Sequence, residues 1–563
     1  MSPFRRLRRW WVSLPLGVLV ALVYAAWPGT WSFTVSPETT YVTGPLDAEG
    51  YVDYPTALNE RLGQGITPDQ NANVLIVRAL GPRPEGAELP AEYYRWLGID
   101  PPPDQGEYLL SWDKYFEAHL KNRPEEQQPR DWFDEFFGAE PEEFPVRKDR
   151  RQEWNDRVDR ARKWPWKAKD RPEIADWLKR NEKPLALMVE ASKRPRYFHP
   201  LVSKNPTPQS AQVLNSLLPT VQKCREVARA LSCRAMARVD DGDLDGAWQD
   251  LLACHRLGRL VGSGGTVIQE LSGLAITQIA ATGELALLSH SRTSSKQVLA
   301  WLADLRRLPP IPSVAEKVDL GERFLMLDIL MSMACRGPEV LNELDRSNPK
   351  PPPNGFWSRL FTRSIDLDPA FRNANRMFDR LVDAGRLPAR ASRQAEFGAI
   401  TQDIIEMKAA VSELTPLERA AADRTQRGEF IGNVVIGLLL PAYEKIYDAA
   451  DRTEQSERNV QVAFALAAYR ADHGKYPASL DELAPKYLPK VPGDLFSGGP
   501  LIYLPEGDGY LLYSVGVNGT DEDGRGKDDD PKGDDLVVRM PVPEPKEKPK
   551  GIPVPGVRGG IID

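Results

Sequence analysis

The stretch TVIQELSGLAITQIAATGELALL, residues 266–288, decides the fold because it is apolar nearly all round for about six helical turns. A helix at the surface of a protein carries a polar face, whereas a helix with apolar residues on every side is buried. The stretch therefore predicts a central helix that other helices cover.

The sequence before this stretch has the spacing of amphipathic helices, of which the first is a helix or a helix pair interrupted by Pro219. Apolar residues recur every three or four positions on both sides of residues 240–243 (DDGD), whose aspartates are suited to cap a helix N-terminus. This pattern predicts a helical hairpin. Residues 313–344 and 396–417 have similar spacing, so the middle of the chain is predicted to be helical throughout. The two stripes of the hairpin are Leu214, Leu217, Val221, Cys224, Ala228, Leu231 and Ala235, and then Leu244, Ala247, Trp248, Leu251 and Cys254.

The N-terminus has the pattern of a membrane segment. Four arginines at residues 5–9 precede an uncharged stretch at residues 10–27, which is close to the ~20 residues needed to cross a bilayer core. Because basic residues stay on the cytoplasmic side, we expect a single-pass protein of a bacterial inner membrane with a cytoplasmic N-terminus and a periplasmic body. The small residues around Tyr24 leave a second interpretation open, a cleaved signal peptide.

The composition is that of a largely soluble chain with several domains. It has 563 residues, of which 27% are charged, and its mean hydropathy of -0.43 excludes a protein with many membrane spans. The formal net charge is only -7 and both signs are interleaved, so we expect no nucleic-acid partner. KRPRYF, residues 193–198, mixes bases and rings as a single-strand binding surface does, but a solvated edge with two anchored rings suits its neutral surroundings better.

The predicted fold class is mainly α, with a single N-terminal transmembrane helix, a multi-helix body and a small C-terminal α+β module. Changes in composition divide the chain into five parts. These are a signal anchor at residues 1–33, a Pro- and Trp-rich region of short helices at 34–206, a helical domain at 207–430, the α+β module at 431–541, and a disordered Pro/Lys/Gly tail at 542–563.

Catalytic motifs do not stand out in the sequence. The histidines lack the spacing of a helical zinc site, and His255, beside Cys254 on a predicted helix, has the pattern of a packed residue rather than a ligand. GSGGT, residues 262–266, superficially resembles a phosphate loop, but it follows a helix and lacks the lysine, so we interpret it as a helix connection. The five histidines are His119, His199, His255, His290 and His473.

The cysteines, Cys224, Cys233, Cys254 and Cys335, contain no CxxC pair. Outside the cytoplasm, both disulfides and buried free thiols remain open. Reflection of the predicted hairpin about its turn places Cys254 opposite position 228, one helical turn from Cys224. Any disulfide is therefore predicted to join Cys224 to Cys254.

The C-terminal part of the chain changes from helical to strand-like spacing. A helical stripe that includes Val462 and Leu466 ends at Gly474, a residue that favours helix C-termini. Two strand-like runs, at 501–504 and 510–515, flank EGDG, and residues 536–539 offer a third strand. The pattern predicts a long helix packed on a short antiparallel sheet.

This module resembles the globular domain of the major pseudopilin of type II secretion systems, the protein G family. The resemblance lies in LAAYRADHGKYP at residues 466–477, in residues 480–492, and in YSVGVNG at residues 513–519, and it covers about a fifth of the chain. An acidic loop binds calcium in that family. By matching position, the resemblance implies Asn518, Asp534 and Asp535 as calcium ligands, with Asp521 or Asp523 as additions. A hydrated acidic loop without a bound ion is the alternative.

GDLDGAWQDLLAC, residues 242–254, resembles the second helix of a tetratricopeptide repeat, with Ala247, Leu251 and Cys254 at that family's small–large–small spacing. Since such repeats must stack to bury their faces, one unit implies a similar packing geometry and no binding site.

These patterns predict a membrane-anchored, non-catalytic scaffold that presents helical and pseudopilin-like surfaces to other proteins of the bacterial envelope. An exported hydrolase is the first alternative, with acidic residues from 34–206 that converge only in the fold. A deep cleft with two facing carboxylates would favour it. The second alternative is a component of a secretion or pilus system.

Overall fold

The computed structural model describes residues 31–121, 145–203, 213, 216, 218–336, 340, 364–415, 418, 421–439 and 443–545. The predicted membrane segment at residues 10–27 and most of the predicted tail, from residue 546 onwards, lie outside these residues. Within them the protein is mainly helical, with a small three-stranded antiparallel sheet near the C-terminus, as the sequence predicts.

The N-terminal region consists mostly of short helices joined by loops. Proline opens several of them, at a position where a missing backbone N–H costs nothing. The predicted pair of anchored rings in residues 193–198 is confirmed, because Tyr197 and Phe198 are both buried. The helices are α1 Tyr54–Gly63, α2 Ala72–Leu80, α3 Ala91–Leu97, α4 Trp112–Lys121, α5 Pro145–Ala161, α6 Pro172–Arg180 and α7 Glu182–Ser192.

Three long helices form the centre of the fold, and they confirm the predicted hairpin and central helix. They are α8 Pro219–Asp241, α9 Leu244–Gly262 and α10 Val267–His290. The side chain of Asp243 caps α9, and Thr266 and Gln269 form a capping box at the start of α10. By length and composition α10 could cross a membrane, but most of its apolar window is buried inside the protein.

The helices that follow pack around this centre. A π-helical turn, Val318–Glu322, joins α12 to α13. Strand β1, Trp31–Ser32, pairs in parallel with β2, Ile365–Asp366, and so brings the start of the described chain beside its middle. The remaining helices are α11 Ser295–Arg306, α12 Val314–Lys317, α13 Arg323–Arg336, α14 Asp368–Arg386, α15 Arg390–Glu413, α16 Arg424–Leu439 and α17 Tyr443–His473.

The C-terminal sheet has the predicted strands. Helix α17 ends at His473, and the next residue, Gly474, adopts a φ of +75° that suits glycine. The strands β3 Ile502–Glu506, β4 Gly509–Ser514 and β5 Leu536–Met540 follow in the order β3-β4-β5. Neighbouring strands are antiparallel, with β4 in the middle and β3 and β5 on the two edges.

The sheet and the helical body share one hydrophobic core. Phe464 of α17 and Leu512 of β4 belong to the same buried cluster as Trp248 of α9. The ring of Trp248 stacks on Trp301 of α11 at 5.5 Å and meets Phe464 edge-on at 5.6 Å. Helix α17 therefore packs against both the sheet and the helical body.

All four cysteines are free thiols in the structure, which is one of the two outcomes that the sequence leaves open, so the Cys224–Cys254 pairing predicted for any disulfide is not formed in it. The predicted hairpin geometry is nevertheless confirmed, because the Cys254 thiol donates to the carbonyl oxygen of Ala228 at 3.6 Å. Burial raises the pKa of Cys224 and that of Cys233 to about 12. Neither thiol is therefore a reactive thiolate at neutral pH.

Candidate functional site

Glycines bring α9 and α10 into close contact. A Cβ atom on Gly258 of α9 would lie 2.9 Å from the carbonyl oxygen of Gly273 of α10, and a Cβ on Gly273 would lie 2.8 Å from the Cα of Gly262. Both separations are shorter than a Cβ contact tolerates. The two backbones can therefore meet only because these positions lack side chains.

Six ionisable side chains lie along this contact and on the helices beside it. We call them the ionic row. Five of the six are less than a tenth exposed, which is rare for charged residues unless they are paired. The members are His255 and Arg259 of α9, Glu270 and Glu284 of α10, Lys317 of α12 and Glu457 of α17.

His255 stands between two carboxylates. Its Nε2 lies 2.9 Å from Oε1 of Glu284, and its Nδ1 lies 3.7 Å from Oε1 of Glu457. Burial lowers the pKa of His255, but the attraction of Glu284, its hydrogen bond and the charge of Glu457 outweigh burial, so the pKa lies above its ordinary value. When protonated, the imidazole is attracted to a carboxylate of α10 and to one of α17.

Arg259 extends the ionic row towards the adjoining loop. Its Nη2 donates to both carboxylate oxygens of Glu457, at 2.6 and 2.7 Å. The Nε donates to the carbonyl oxygen of Pro309 at 2.8 Å, and Nη1 donates to Oγ1 of Thr277 at 3.3 Å. One guanidinium therefore joins α9, α10, α17 and the loop before α12.

Glu270 and Lys317 form the other end of the ionic row. Neither carboxylate oxygen of Glu270 has a hydrogen-bond partner among the described residues, whereas Nζ of Lys317 donates to the carbonyl oxygen of Ser263 at 3.2 Å. Burial raises the pKa of Glu270 to about 8, although Lys317 and Arg259 oppose the rise. Burial likewise lowers the pKa of Lys317. At neutral pH Glu270 is therefore mostly protonated.

A small cavity adjoins the ionic row. Its volume is about 20 Å³, and His255, Arg259, Glu284, Glu457 and Gln461 supply its polar lining. A space of this size holds about one water molecule. The arrangement can take up and release a proton and can lock three helices together, but it has no room for an organic substrate.

The predicted calcium ligands lie in the loop between β4 and β5, where backbone groups and an arginine already contact them. Asp534 Oδ1 pairs with Arg452 at 2.5 Å, and its Oδ2 accepts from the backbone N–H of Asn518 at 3.1 Å. Although partial burial opposes it, the Arg452 and backbone hydrogen bonds hold the pKa of Asp534 below its ordinary value. The structure therefore brings Asn518 and Asp534 together. It also assigns Asp534 a structural contact.

The other predicted ligands also close the loop. Asp521 Oδ1 accepts from the hydroxyl of Tyr513 at 3.1 Å and from the backbone N–H of Asp523 at 2.9 Å. Asp535 Oδ2 accepts from two backbone N–H groups, while its buried Oδ1 has no partner within the described part of the chain. No group of three or more His, Cys, Asp or Glu residues arranged to hold a metal occurs among the residues described. Calcium binding stays a prediction.

The sequence patterns do not predict that the residues of the ionic row lie together. The sequence predicts that His255 is a packed, hydrogen-bonded residue, and the structure confirms it. The available signal was that Glu270 and Glu284 are the charged residues of the otherwise apolar stretch 266–288. Two carboxylates flank His255, but they come from α10 and α17 and not from residues 34–206, and the cavity beside them, of about 20 Å³, is not the deep cleft that would favour a hydrolase.

Comparison of the chain with protein-family models, with curated proteins and with solved structures finds no match. The resemblances to pseudopilins and to a tetratricopeptide unit stay predictions.

Proposed function

We propose that this protein is a scaffold of the bacterial envelope, anchored in the inner membrane by an N-terminal transmembrane helix. Its helical body holds a pseudopilin-like α+β module in a fixed orientation for other envelope proteins. The observation that carries the proposal is α17, a 31-residue helix that packs against α10 and α11 and also against β4 and β5. A helix shared in this way transmits orientation from the body to the sheet.

Ion pairs fix α17 to the helical body. Arg390 of α15 donates to Asp448 at 2.8 Å, and Arg393 donates to both oxygens of Asp451, at 2.6 and 2.9 Å. Arg259 contacts Glu457 further along the same helix. Because partly buried, bidentate pairs hold their geometry better than exposed ones, these contacts resist rotation of α17.

Polar contacts then fix α17 to the sheet. Nδ2 of Asn459 donates to the carbonyl oxygen of Leu536 at 2.9 Å, and Arg452 pairs with Asp534. On the opposite edge, β3 exposes Leu504 to 45%. Pro505 lacks a backbone N–H, which limits strand addition there. We therefore assign the contact with envelope proteins to side chains of β3.

Calcium is part of this proposal. In our proposal the ion binds the loop between β4 and β5 and stiffens that loop where it contacts β4, β5 and α17. The unpartnered Oδ1 of Asp535 and the carboxylates of Asp521 and Asp523 support it, since calcium prefers clustered oxygen ligands.

A hydrolase is the second candidate, because His255 between two carboxylates has the composition of an acid–base centre. The volume of the adjoining cavity, about 20 Å³, argues against it. A secretion or pilus component remains the third candidate and rests on the pseudopilin resemblance.

Topology and contact are tested separately in intact cells. A reporter active only in the periplasm and one active only in the cytoplasm are fused to the C-terminus of the full chain, and we expect the periplasmic reporter to be active. The reverse result would contradict the anchored orientation.

For contact, a photo-crosslinking residue replaces Leu504, and a matched one replaces Ile405, which is 54% exposed on α15. We expect crosslinks to discrete envelope proteins from position 504 and fewer in an Arg390→Met/Arg393→Met background, where α17 is less firmly held. Equal crosslinking from both positions in both backgrounds would contradict a scaffold that presents β3.

A further inference from the structure

A second cavity, of about 150 Å³, lies at the surface of the N-terminal region, where α2, α4 and α8 meet. Its volume admits several water molecules, which is enough for an ion of a few heavy atoms. Leu80 and Leu109 give it an apolar floor. Arg83, Lys114 and Lys223 line it with positive charge, against the one carboxylate of Asp104.

Two glycines hold the wall of this cavity in place. The ring of Tyr108 lies so close to Gly81 and Gly106 that a Cβ atom would come within 2.6 Å of the ring at Gly81 and 2.8 Å at Gly106. Gly81 also has a φ of +80°, which favours glycine. The Tyr108 hydroxyl donates to the carbonyl oxygen of Pro103 at 2.5 Å. The wall is therefore built by the chain and does not depend on a ligand.

The cationic side chains have more hydrogen-bond donors than their partners use. Arg83 is bound through Nη2, to Asp104 at 2.9 Å and to Glu88 at 3.5 Å, although a guanidinium carries five N–H groups. Nζ of Lys223 contacts Glu226 at 2.8 Å and retains further protons. Lys114 is exposed, and its ammonium makes no ion pair with any residue that the structure describes.

The chain itself shows which group suits these donors. The carboxylate of Glu226 accepts from the backbone N–H of Trp112, at the start of α4, at 2.7 Å, and it also accepts from Lys223. A carboxylate is thus already bound at the edge of the cavity, between a helix N-terminus and an ammonium. A second group of the same chemistry would meet the remaining donors of Lys114, Lys223 and Arg83.

We propose that this cavity binds a small oxyanion, a phosphate or carboxylate group on a free small molecule, through Lys114, Lys223 and Arg83. The lining carries three positive charges against one negative charge, and Glu88 and Glu226 pair with Arg83 and Lys223 beside it. Among the described residues, Lys114 is therefore the lining cation without an ion pair. Charge-assisted hydrogen bonds to oxygen are the strong ones, and an arginine fork adds a planar pair of donors. The site is separate from the ionic row, and its proposal does not depend on the scaffold function.

The test measures binding to the full chain, purified in detergent, by calorimetric titration at constant ionic strength. One arm uses inorganic phosphate, a second uses glutarate, and chloride serves as the reference. Lys114→Met is the diagnostic variant. This exposed side chain makes no ion pair with any described residue, so its replacement should not destabilise the protein. The matched control is Lys169→Met, an exposed lysine outside the cavity.

We expect saturable binding in at least one arm, weakened about tenfold in Lys114→Met and unchanged in Lys169→Met, since a hydrogen bond to a charged group is worth about that factor. Binding of phosphate alone, glutarate alone or both supports the site and identifies the oxyanion. Absence of saturable binding in both arms, or equal weakening in the two variants, would overturn it.

Discussion

Nε2 of His255 lies 2.9 Å from Oε1 of Glu284, in an interface where neither side chain reaches solvent. Glu457 contributes a second carboxylate on the other side of the ring. Because these groups come from α9, α10 and α17, the protonation state of one imidazole affects the contact among three helices. One of those helices also supports the C-terminal sheet.

His255→Gln is expected to remove a pH-dependent part of the stability. The folded-state pKa of His255 lies above the ordinary 6.5, so its contribution is fully present below pH 6.5 and is lost as the pH rises through the folded pKa. We expect the free energy of unfolding of the variant to be about 1.5–3 kcal/mol lower than that of wild type at pH 5.5, and the difference to become progressively smaller above pH 7. Thermal melts at a series of pH values measure this. His473→Gln, at an exposed position, is the control, and parallel curves for wild type and His255→Gln would refute the role of His255.

Glu270→Gln is expected to make the protein more stable than wild type at high pH, whereas His255→Gln makes it less stable at low pH. The folded-state pKa of Glu270, about 8, is above the ordinary 4.5, so wild-type stability declines as the pH rises from about 4.5 through 8 and the buried carboxyl ionises. Glutamine keeps the shape and stays neutral. Relative to wild type, the free energy of unfolding of the variant should therefore rise by about 1–3 kcal/mol between pH 6 and pH 9. Glu316→Gln, at an exposed position beside Lys317, should show no such trend. If the difference in the free energy of unfolding between Glu270→Gln and wild type is the same at pH 6 and at pH 9, Glu270 does not titrate in this range.

Local patterns in the sequence were sufficient for most of the helices and strands. The apolar stretch 266–288 is the buried helix α10, and the turn at residues 240–243 separates α8 from α9, because periodicity and capping are read over a few residues. The strands β3 to β5 likewise followed from alternation on both sides of EGDG.

The ionic row could not be predicted in the same way. Glu270 and Glu284 stand out in an apolar helix, but their partners depend on the register between α9 and α10, which the close contact of Gly258 with Gly273 sets. Glu457 comes from a helix far along the chain. The second cavity could not be predicted for the same reason, since Arg83, Lys114 and Lys223 lie in three separate segments of the chain.

Gly273→Ala is expected to destabilise the protein by about 1–3 kcal/mol, since the new methyl group would overlap the backbone of α9 at Gly258 and Gly262. The matched control is Gly398→Ala in α15, where a Cβ meets nothing within 4 Å. That substitution should stabilise the helix by about 0.5–1 kcal/mol. Chemical unfolding of both variants measures the difference. Equal effects would show that α9 and α10 are not held together at these glycines.

Calcium in the loop between β4 and β5 is tested on the full chain, since α17 shares its core with the helical body. Asp534 also pairs with Arg452, so its replacement lowers the melting temperature whether or not calcium binds. The informative substitutions are Asp523→Asn, at an exposed residue with a φ of +59° that asparagine tolerates, and Asp535→Asn, where the amide oxygen can still accept the backbone hydrogen bonds.

The quantity compared is the rise in melting temperature from chelator to millimolar calcium. A ligand that binds only the folded state adds RT ln(1 + [L]/Kd), about 2.7 kcal/mol at a hundredfold excess over Kd. We expect a clear rise for wild type and for Asp528→Asn, an exposed acidic residue of the same loop, and a smaller rise for Asp523→Asn and Asp535→Asn. Simple neutralisation of repulsion would affect the Asp528 and Asp523 variants alike, because it depends on total charge, whereas coordination depends on which oxygens contact the ion. An unchanged wild-type midpoint, or equal rises in all variants, would leave this loop as a hydrated acidic segment.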